Sequence, residues 1–287
     1  MRHGQGDCKI VDNLDDCFVQ LPKKAHSLMN RTNLTARAIG SLAFQRHPVP
    51  LSLVGVGEMH KNLFSRLDKL TNTIDRAQQF MDYMAVTFRL ENPEDAGYTP
   101  GSRRQRIKVD YLRILRGWLF NPDGREAAVL KGWVVSRFGL TPRYFNGPLD
   151  DYEGEAYQNF LAMQSAGLYN TNAIESQLDL LYYFCQYELK CCRQDQKHKV
   201  LYRGVNHFDQ HEIMVSGPKR GAIVLLNNLS SFSDDRERAC EFGDYIMEVN
   251  VPMVKIVFFH DLFPGAFKGE GEHMVIGGLY RVRLLTF

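Results

Sequence analysis

No stretch of this 287-residue chain approaches the roughly 20 consecutive apolar residues that a membrane span requires, which excludes a membrane-spanning reading of the sequence. The opening residues, MRHGQGDCKIVDN, also lack the apolar centre of a secretory signal peptide, so a cytoplasmic protein is expected. An excess of one charge is missing too: 35 Lys and Arg stand against 33 Asp and Glu. Without a global field to attract a polyanion, nucleic acid is not an expected partner, and any anion site has to be local. Cysteine is scarce and poorly spaced for structural use. The six (Cys8, Cys17, Cys185, Cys191, Cys192 and Cys240) form no CxxC, and the adjacent Cys191 and Cys192 suit neither an ordinary disulfide nor a zinc knuckle. Reduced thiols and no metal are the expectation. Internal repeats and low-complexity segments are absent as well.

What is present is enough apolar material for a full core: 44% hydrophobic and 24% charged residues, in a length that allows one large domain or two small ones. Residues 59–90 place Leu63, Leu67, Leu70, Ile74, Phe80 and Met84 at helical spacing, and residues 91–102 then cluster Pro, Gly and acids as a long loop. A basic stretch at 103–118 carries Ile107, Tyr111, Ile114, Leu115 and Trp118 on one potential helical face; its charges are either a solvated surface or a local patch for phosphates or an acidic partner. The turn NPDG at 121–124 leads to a helix over 126–140 stopped by Gly139, and 174–192 repeats Leu178, Leu181, Tyr182 and Cys185 at helical spacing. From position 200 the texture changes to short β-like runs at 200–205, 222–233, 245–251, 255–262, 273–278 and 280–285, with a helical turn at 234–243 capped by a serine or acid and ended by Gly243. The expected class is α+β: a mainly helical region, 1–195, that docks a partner and packs as one unit on a β-rich core, 196–287.

Three short motifs in the β-rich part carry chemistry. In KGEGEHMVIGG, 268–278, Glu270 and Glu272 lie two apart beside glycines, which is either solvated charge at a strand edge or two carboxylates sharing one space. Arg203 sits inside the apolar run VLYRGV, where a guanidinium needs either a structural ion pair or a bound anion. In LSSFS, 229–233, Ser233 or Asp234 suits a helix cap, while Ser231 is left for another role and Phe232 offers a flat face to a ring. His207 and His211 are four apart but lack the glutamate of a metalloprotease helix, and the GxG in LVGVGEMH, 53–60, has no third glycine in register.

The ordered set strand-Arg, Ser-x-Ser before a helix, and Glu-x-Glu before a strand resembles the arginine, serine, glutamate class of NAD-dependent ADP-ribosyltransferases. More narrowly, LYRGVNHF, LNNLSSFSDDRERACEFGD, FFHDLFPGAFKGEGEHMVIGGLYRVR, LRGWLFNPDG, AVLKGWVVSRFGL and QLDLLYYFCQY resemble the dinitrogenase reductase ADP-ribosyltransferases. That resemblance runs from about position 41 to the end and implies a split β-sheet core. It also implies NAD as co-substrate, an arginine of dinitrogenase reductase (the nitrogenase iron protein) as acceptor, and control by a PII-type nitrogen-signalling protein. It assigns Glu272 to the oxocarbenium-like ribose, Ser231 to positioning Glu272, and Arg203 to NAD, with Gly204, Phe232 and Ser233 lining the cofactor. Glu270 is assigned to the acceptor guanidinium; in the preceding loop, 261–269, Phe263 and Phe267 either pack the loop onto the core or, as aromatics flanked by Gly and Pro, contact the target protein.

Overall fold

Helices occupy the first two thirds of the chain and strands the last third in the computed structural model, which describes residues 9–10, 14, 18–90, 109–169, 171, 173–192, 196–206, 212–267 and 271–285. Among these residues the helices are α1 Ala36–Ile39, α2 Leu42–Arg46, α3 Val56–Met59, α4 Lys61–Leu67, α5 Thr73–Thr87, α6 Tyr111–Phe120, α7 Arg125–Phe138, α8 Glu155–Leu168, α9 Ile174–Cys192 and α10 Arg236–Cys240. The strands are β1 Lys9–Ile10, β2 His198–Val205, β3 Glu212–Ser216, β4 Gly221–Ser233, β5 Tyr245–Pro252, β6 Ile256–Phe259 and β7 Glu272–Leu285. The α+β expectation holds.

The single helix expected over 59–90 is instead broken into α3, α4 and α5. Apolar spacing runs through 59–90, but Asn72 accepts from the Ile74 backbone N–H at 2.9 Å and starts a new helix at Thr73. Ile74, read as a core position, is exposed. Gly139 stands at the C-cap of α7 with φ +71°, as its position predicts. On α6, Tyr111, Ile114, Leu115 and Trp118 are all buried, and Asp110 caps the first turn by accepting from Arg113 N at 2.8 Å. The loop at 91–102, the basic residues 103–108 and the His207–His211 pair lie outside the described residues.

The sheet is organised by two long strands that pair with each other along most of their length. β4 and β7 run antiparallel from Gly221↔Arg283 to Ser233↔Glu272, with the register slipping between Leu226 and Leu229. Gly278 lies opposite Leu226 at this slip with φ +112°, so the two expected strands 273–278 and 280–285 are one continuous strand bent at a bulge. At the bend β7 changes partners within one seven-stranded sheet, so the split implied by the family resemblance is not seen. The end of β7 pairs with β5, which pairs with β2, while the start of β7 pairs with β6. Through Tyr202↔Ser233, β2 then returns to the end of β4, which brings the strand carrying Arg203 beside the strand carrying Ser231. The β6 strand expected to run to 262 ends at Phe259 and continues as a 3-10 turn.

One hydrophobic cluster includes buried side chains from both the helices and the sheet, among them Phe80, Ile114, Trp118, Leu181 and Phe184 with Leu201, Val249, Ile256 and Ile276. A buried ion pair, Arg76 with both oxygens of Glu188 at 2.6 and 2.8 Å, ties α5 to α9. This contiguous core brings helical side chains directly against the sheet.

Candidate active site

Ser231 and Glu272 are diagonal neighbours across the β4–β7 ladder, because Ser233 pairs with Glu272 and Ser231 with Met274. Their side chains meet: the Ser231 hydroxyl donates to Glu272 Oε1. Arg203 reaches the same place from β2, donating from Nη1 to the Ser231 carbonyl oxygen at 2.7 Å. Three residues separated widely in sequence therefore meet in one place.

Arg203 carries a further observation. Its Nε is buried and has no hydrogen-bond partner among the described residues. Burial pulls the guanidinium below its ordinary value, while Glu272 and Asp123 favour the charged form. A buried donor left open in a guanidinium fork is one that a ligand oxygen can complete.

The rest of the setting comes from α6, α7 and the NPDG turn between them, which the sequence alone did not place. Trp118 of α6 points its indole N–H at Ser231 Oγ (2.9 Å) and Glu272 Oε1 (3.1 Å). Lys131 of α7, only 2% exposed, donates to Asp123 Oδ1 at 2.6 Å and to the Tyr144 carbonyl at 3.2 Å, and lies over the rings of Trp118 and Phe145. Burial lowers the Lys131 pKa, Asp123 opposes that fall, and Arg203 adds to it. Arg203, Lys131, Asp123 and Glu272 thus form an electrostatically linked set of two cations and two carboxylates. A lysine inside the apolar face of 126–140 was the available signal for this group.

The opposite side of the Glu272 strand is also fixed. Lys199 Nζ donates to Asp234 Oδ2 and to His273 Nε2, both at 2.8 Å, and His273 Nδ1 donates to the Gly271 carbonyl at 2.9 Å. Because a carbonyl only accepts, Nδ1 carries the proton and Nε2 receives from the ammonium. Burial pushes the Asp234 carboxyl up, but Lys199 outweighs it and holds it below its ordinary value. Gly271, at φ +70°, makes the turn into Glu272 beside Asp234, where a Cβ would stand 2.7 Å from Asp234 Oδ1.

Several expected residues are placed differently from the expectation. Phe232 is buried in the core, since strand alternation turns it away from Ser231, so its ring is not a face for the cofactor. Ser233 accepts from Asp235 N at 3.0 Å, and the cap of α10 is Asp235 rather than Ser233 or Asp234. Gly204 has a packing reason: a Cβ there would lie 2.0 Å from the Ala239 carbonyl, so glycine lets α10 rest on β2 beside Arg203. Phe263 is 1% exposed, packed with Phe80, Tyr111 and Phe184. Phe267 is 7% exposed, edge-on to Phe258 and under the Arg116 guanidinium. Of the two readings, core packing is the one observed: both rings are buried, Phe263 against the helices and Phe267 against Phe258 of β6 and Arg116 of α6. Glu270 lies outside the described residues.

Elsewhere, a cavity of about 420 Å³ lined by Gln45, Arg46, His47, His198, Asn250 and Arg281 sits toward the other end of β7 from Glu272. Among the described residues no group of three or more His, Cys, Asp or Glu is arranged to hold a metal, Cys185, Cys191, Cys192 and Cys240 form no disulfide, and no helix is long and apolar enough to cross a membrane.

Arg203, Ser231 and Glu272, brought together from three strands of one sheet, make the arrangement expected of the arginine, serine, glutamate class of NAD-dependent ADP-ribosyltransferases. The sequence profile of the family described as dinitrogenase reductase ADP-ribosyltransferase matches residues 29–284, and the chain belongs to that family. The NAD(+)--dinitrogen-reductase ADP-D-ribosyltransferase of Rhodospirillum rubrum is 38% identical over 266 residues, covering 91% of this chain and 96% of that protein. No solved structure matches.

Proposed function

We propose that this chain transfers ADP-ribose from NAD to an arginine of dinitrogenase reductase, with Glu272, Ser231 and Arg203 as its centre. The observation that carries the reading is the Ser231–Glu272 hydrogen bond beside the open Nε of Arg203, in a chain of this family. The name of the R. rubrum relative supports both NAD and the acceptor protein.

In this mechanism the nicotinamide–ribose bond breaks and positive charge grows on the ribose, as in glycoside cleavage. Glu272 faces that charge. Pinning its Oε1 with Ser231 fixes one rotamer, so the field acts without reorganisation at the moment of bond breaking. Arg203 grips oxygens of the dinucleotide through its remaining donors, with Asp123 and Lys131 setting the surrounding potential. The acceptor guanidinium is protonated near neutral pH and a poor nucleophile, so a base must orient it and take its proton. Glu270 is proposed for that step, on the family resemblance and its place two residues before Glu272.

The test separates the two carboxylates. Glu272→Gln should lower both ADP-ribosyl transfer and acceptor-free NAD hydrolysis by roughly 100-fold or more, while Glu270→Gln should lower transfer alone. Normal turnover by Glu272→Gln would remove the assignment. Modification of the target would switch off nitrogen fixation, with a PII-type protein as controlling partner and the cytoplasm as the setting. The family resemblance supports these last points, and co-purification with a PII-type protein would check the first.

A further inference from the structure

We propose that Trp118 is a positioning residue for the catalytic carboxylate, so that the helical region supplies part of the active site's electrostatics. This inference rests on Glu272 being the carboxylate that faces the ribose. A buried indole N–H almost always finds an acceptor, and the commonest partners are backbone carbonyls. Here the single proton is shared between the two side chains of the reacting centre, Ser231 Oγ at 2.9 Å and Glu272 Oε1 at 3.1 Å. The Ser231 hydroxyl spends its own proton on the same Oε1. The three groups therefore form a closed hydrogen-bonded triangle, in which donation from Trp118 to Ser231 Oγ polarises the hydroxyl and strengthens its bond to Glu272.

The indole cannot easily turn away. Its ring belongs to the buried face of α6, and the Lys131 ammonium, held by Asp123, lies 5.8 Å from its centroid. Two donors on one carboxylate oxygen favour the ionised form and set the direction of the other oxygen. The role needs no contact between Trp118 and NAD. It also makes the β-rich part, 196–287, incomplete as a catalyst, since one of the donors on Glu272 comes from α6.

The experiment is Trp118→Phe in the full chain, paired with replacement of Trp118 by its benzothiophene analogue, which keeps ring volume and removes only the N–H. Both should lower kcat by about 10- to 100-fold, the span expected for a hydrogen bond to a charged group, with NAD affinity within about threefold of the parent on the same bookkeeping. Transfer and acceptor-free NAD hydrolysis should fall by the same factor. The acid limb of the kcat–pH profile should move to higher pH, because the carboxylate loses a donor that favours its ionised form. If the phenylalanine variant is poorly folded, the isosteric analogue carries the decision. Unchanged kcat and acid limb in the analogue would overturn the proposal, as would a loss confined to transfer. Loss of activity in Glu272→Gln beside a fully active Trp118 analogue would reject the role of Trp118 alone; an active Glu272→Gln would reject the reading beneath it.

Discussion

At the scale of single residues, the site is a set of buried polar groups whose partners are chosen for direction. Arg203 spends Nη1 on the Ser231 carbonyl and keeps a buried Nε unpaired, an arrangement that costs stability unless a ligand completes it. Arg203→Lys keeps the charge but loses the planar fork, so the Michaelis constant for NAD should rise by about 10-fold or more while kcat changes less; steady-state kinetics with varied NAD would check this, and an unchanged constant would remove Arg203 from the NAD site. Ser231→Ala should lower kcat and leave NAD affinity nearly intact, since the hydroxyl works on Glu272. Its combination with loss of the Trp118 N–H should be less than additive, because both donors act on one oxygen.

At the scale of elements, α10 packs directly on β2 at Gly204, next to Arg203. Gly204→Ala would drive a methyl into the Ala239 carbonyl, 2.0 Å from the ideal Cβ, and should destabilise the protein by about 1–3 kcal/mol; an urea titration that finds the midpoint unmoved would contradict the packing role. On the helical side, Glu188→Ala strands the Arg76 guanidinium between α5 and α9 and should cost about 3–5 kcal/mol. Elements with strong periodicity were legible in the sequence: α6 and α9 bury the residues their spacing names, α7 forms where the 126–140 stretch and its Gly139 stop put a helix, and the apolar runs of β2, β4 and β5 become strands. α8 was not, because of its 14 residues only Phe160 and Gly167 are buried and no clear apolar stripe marks it. The break before α5 was hidden since apolar spacing crosses it and only the Asn72 cap reveals it. The convergence of Arg203, Ser231 and Glu272 was legible only through the resemblance of their ordered motifs to a known class, since each motif alone also reads as an ion pair, a cap or a solvated edge. Trp118 was not, because a tryptophan at helical spacing reads as core, and it is buried; only the tertiary fold says where its N–H points.

At the scale of the whole molecule, one core joins the helical region to the sheet, and an ammonium is enclosed in it. Lys255 is fully buried, donating to the Gly277 carbonyl at 2.9 Å with the rings of Phe44 and Tyr280 beside it, and burial lowers its pKa to about 7. The unfolded chain holds that proton up to the ordinary lysine value near 10.4. Across the window from about pH 7 to that value the unfolded state binds more protons, so this group makes stability rise with pH; below about 7 both states are protonated and the penalty is constant. Lys255→Met should flatten this part of the stability–pH curve, as measured by chemical denaturation at a series of pH values, and a parallel curve would contradict it.

The most direct measurement is the mass spectrum of purified dinitrogenase reductase after incubation with this protein and NAD. One added ADP-ribosyl group, mapped to an arginine and missing when Glu272→Gln replaces the parent, is the predicted result. An unmodified target, or a modification that survives in Glu272→Gln, would contradict it.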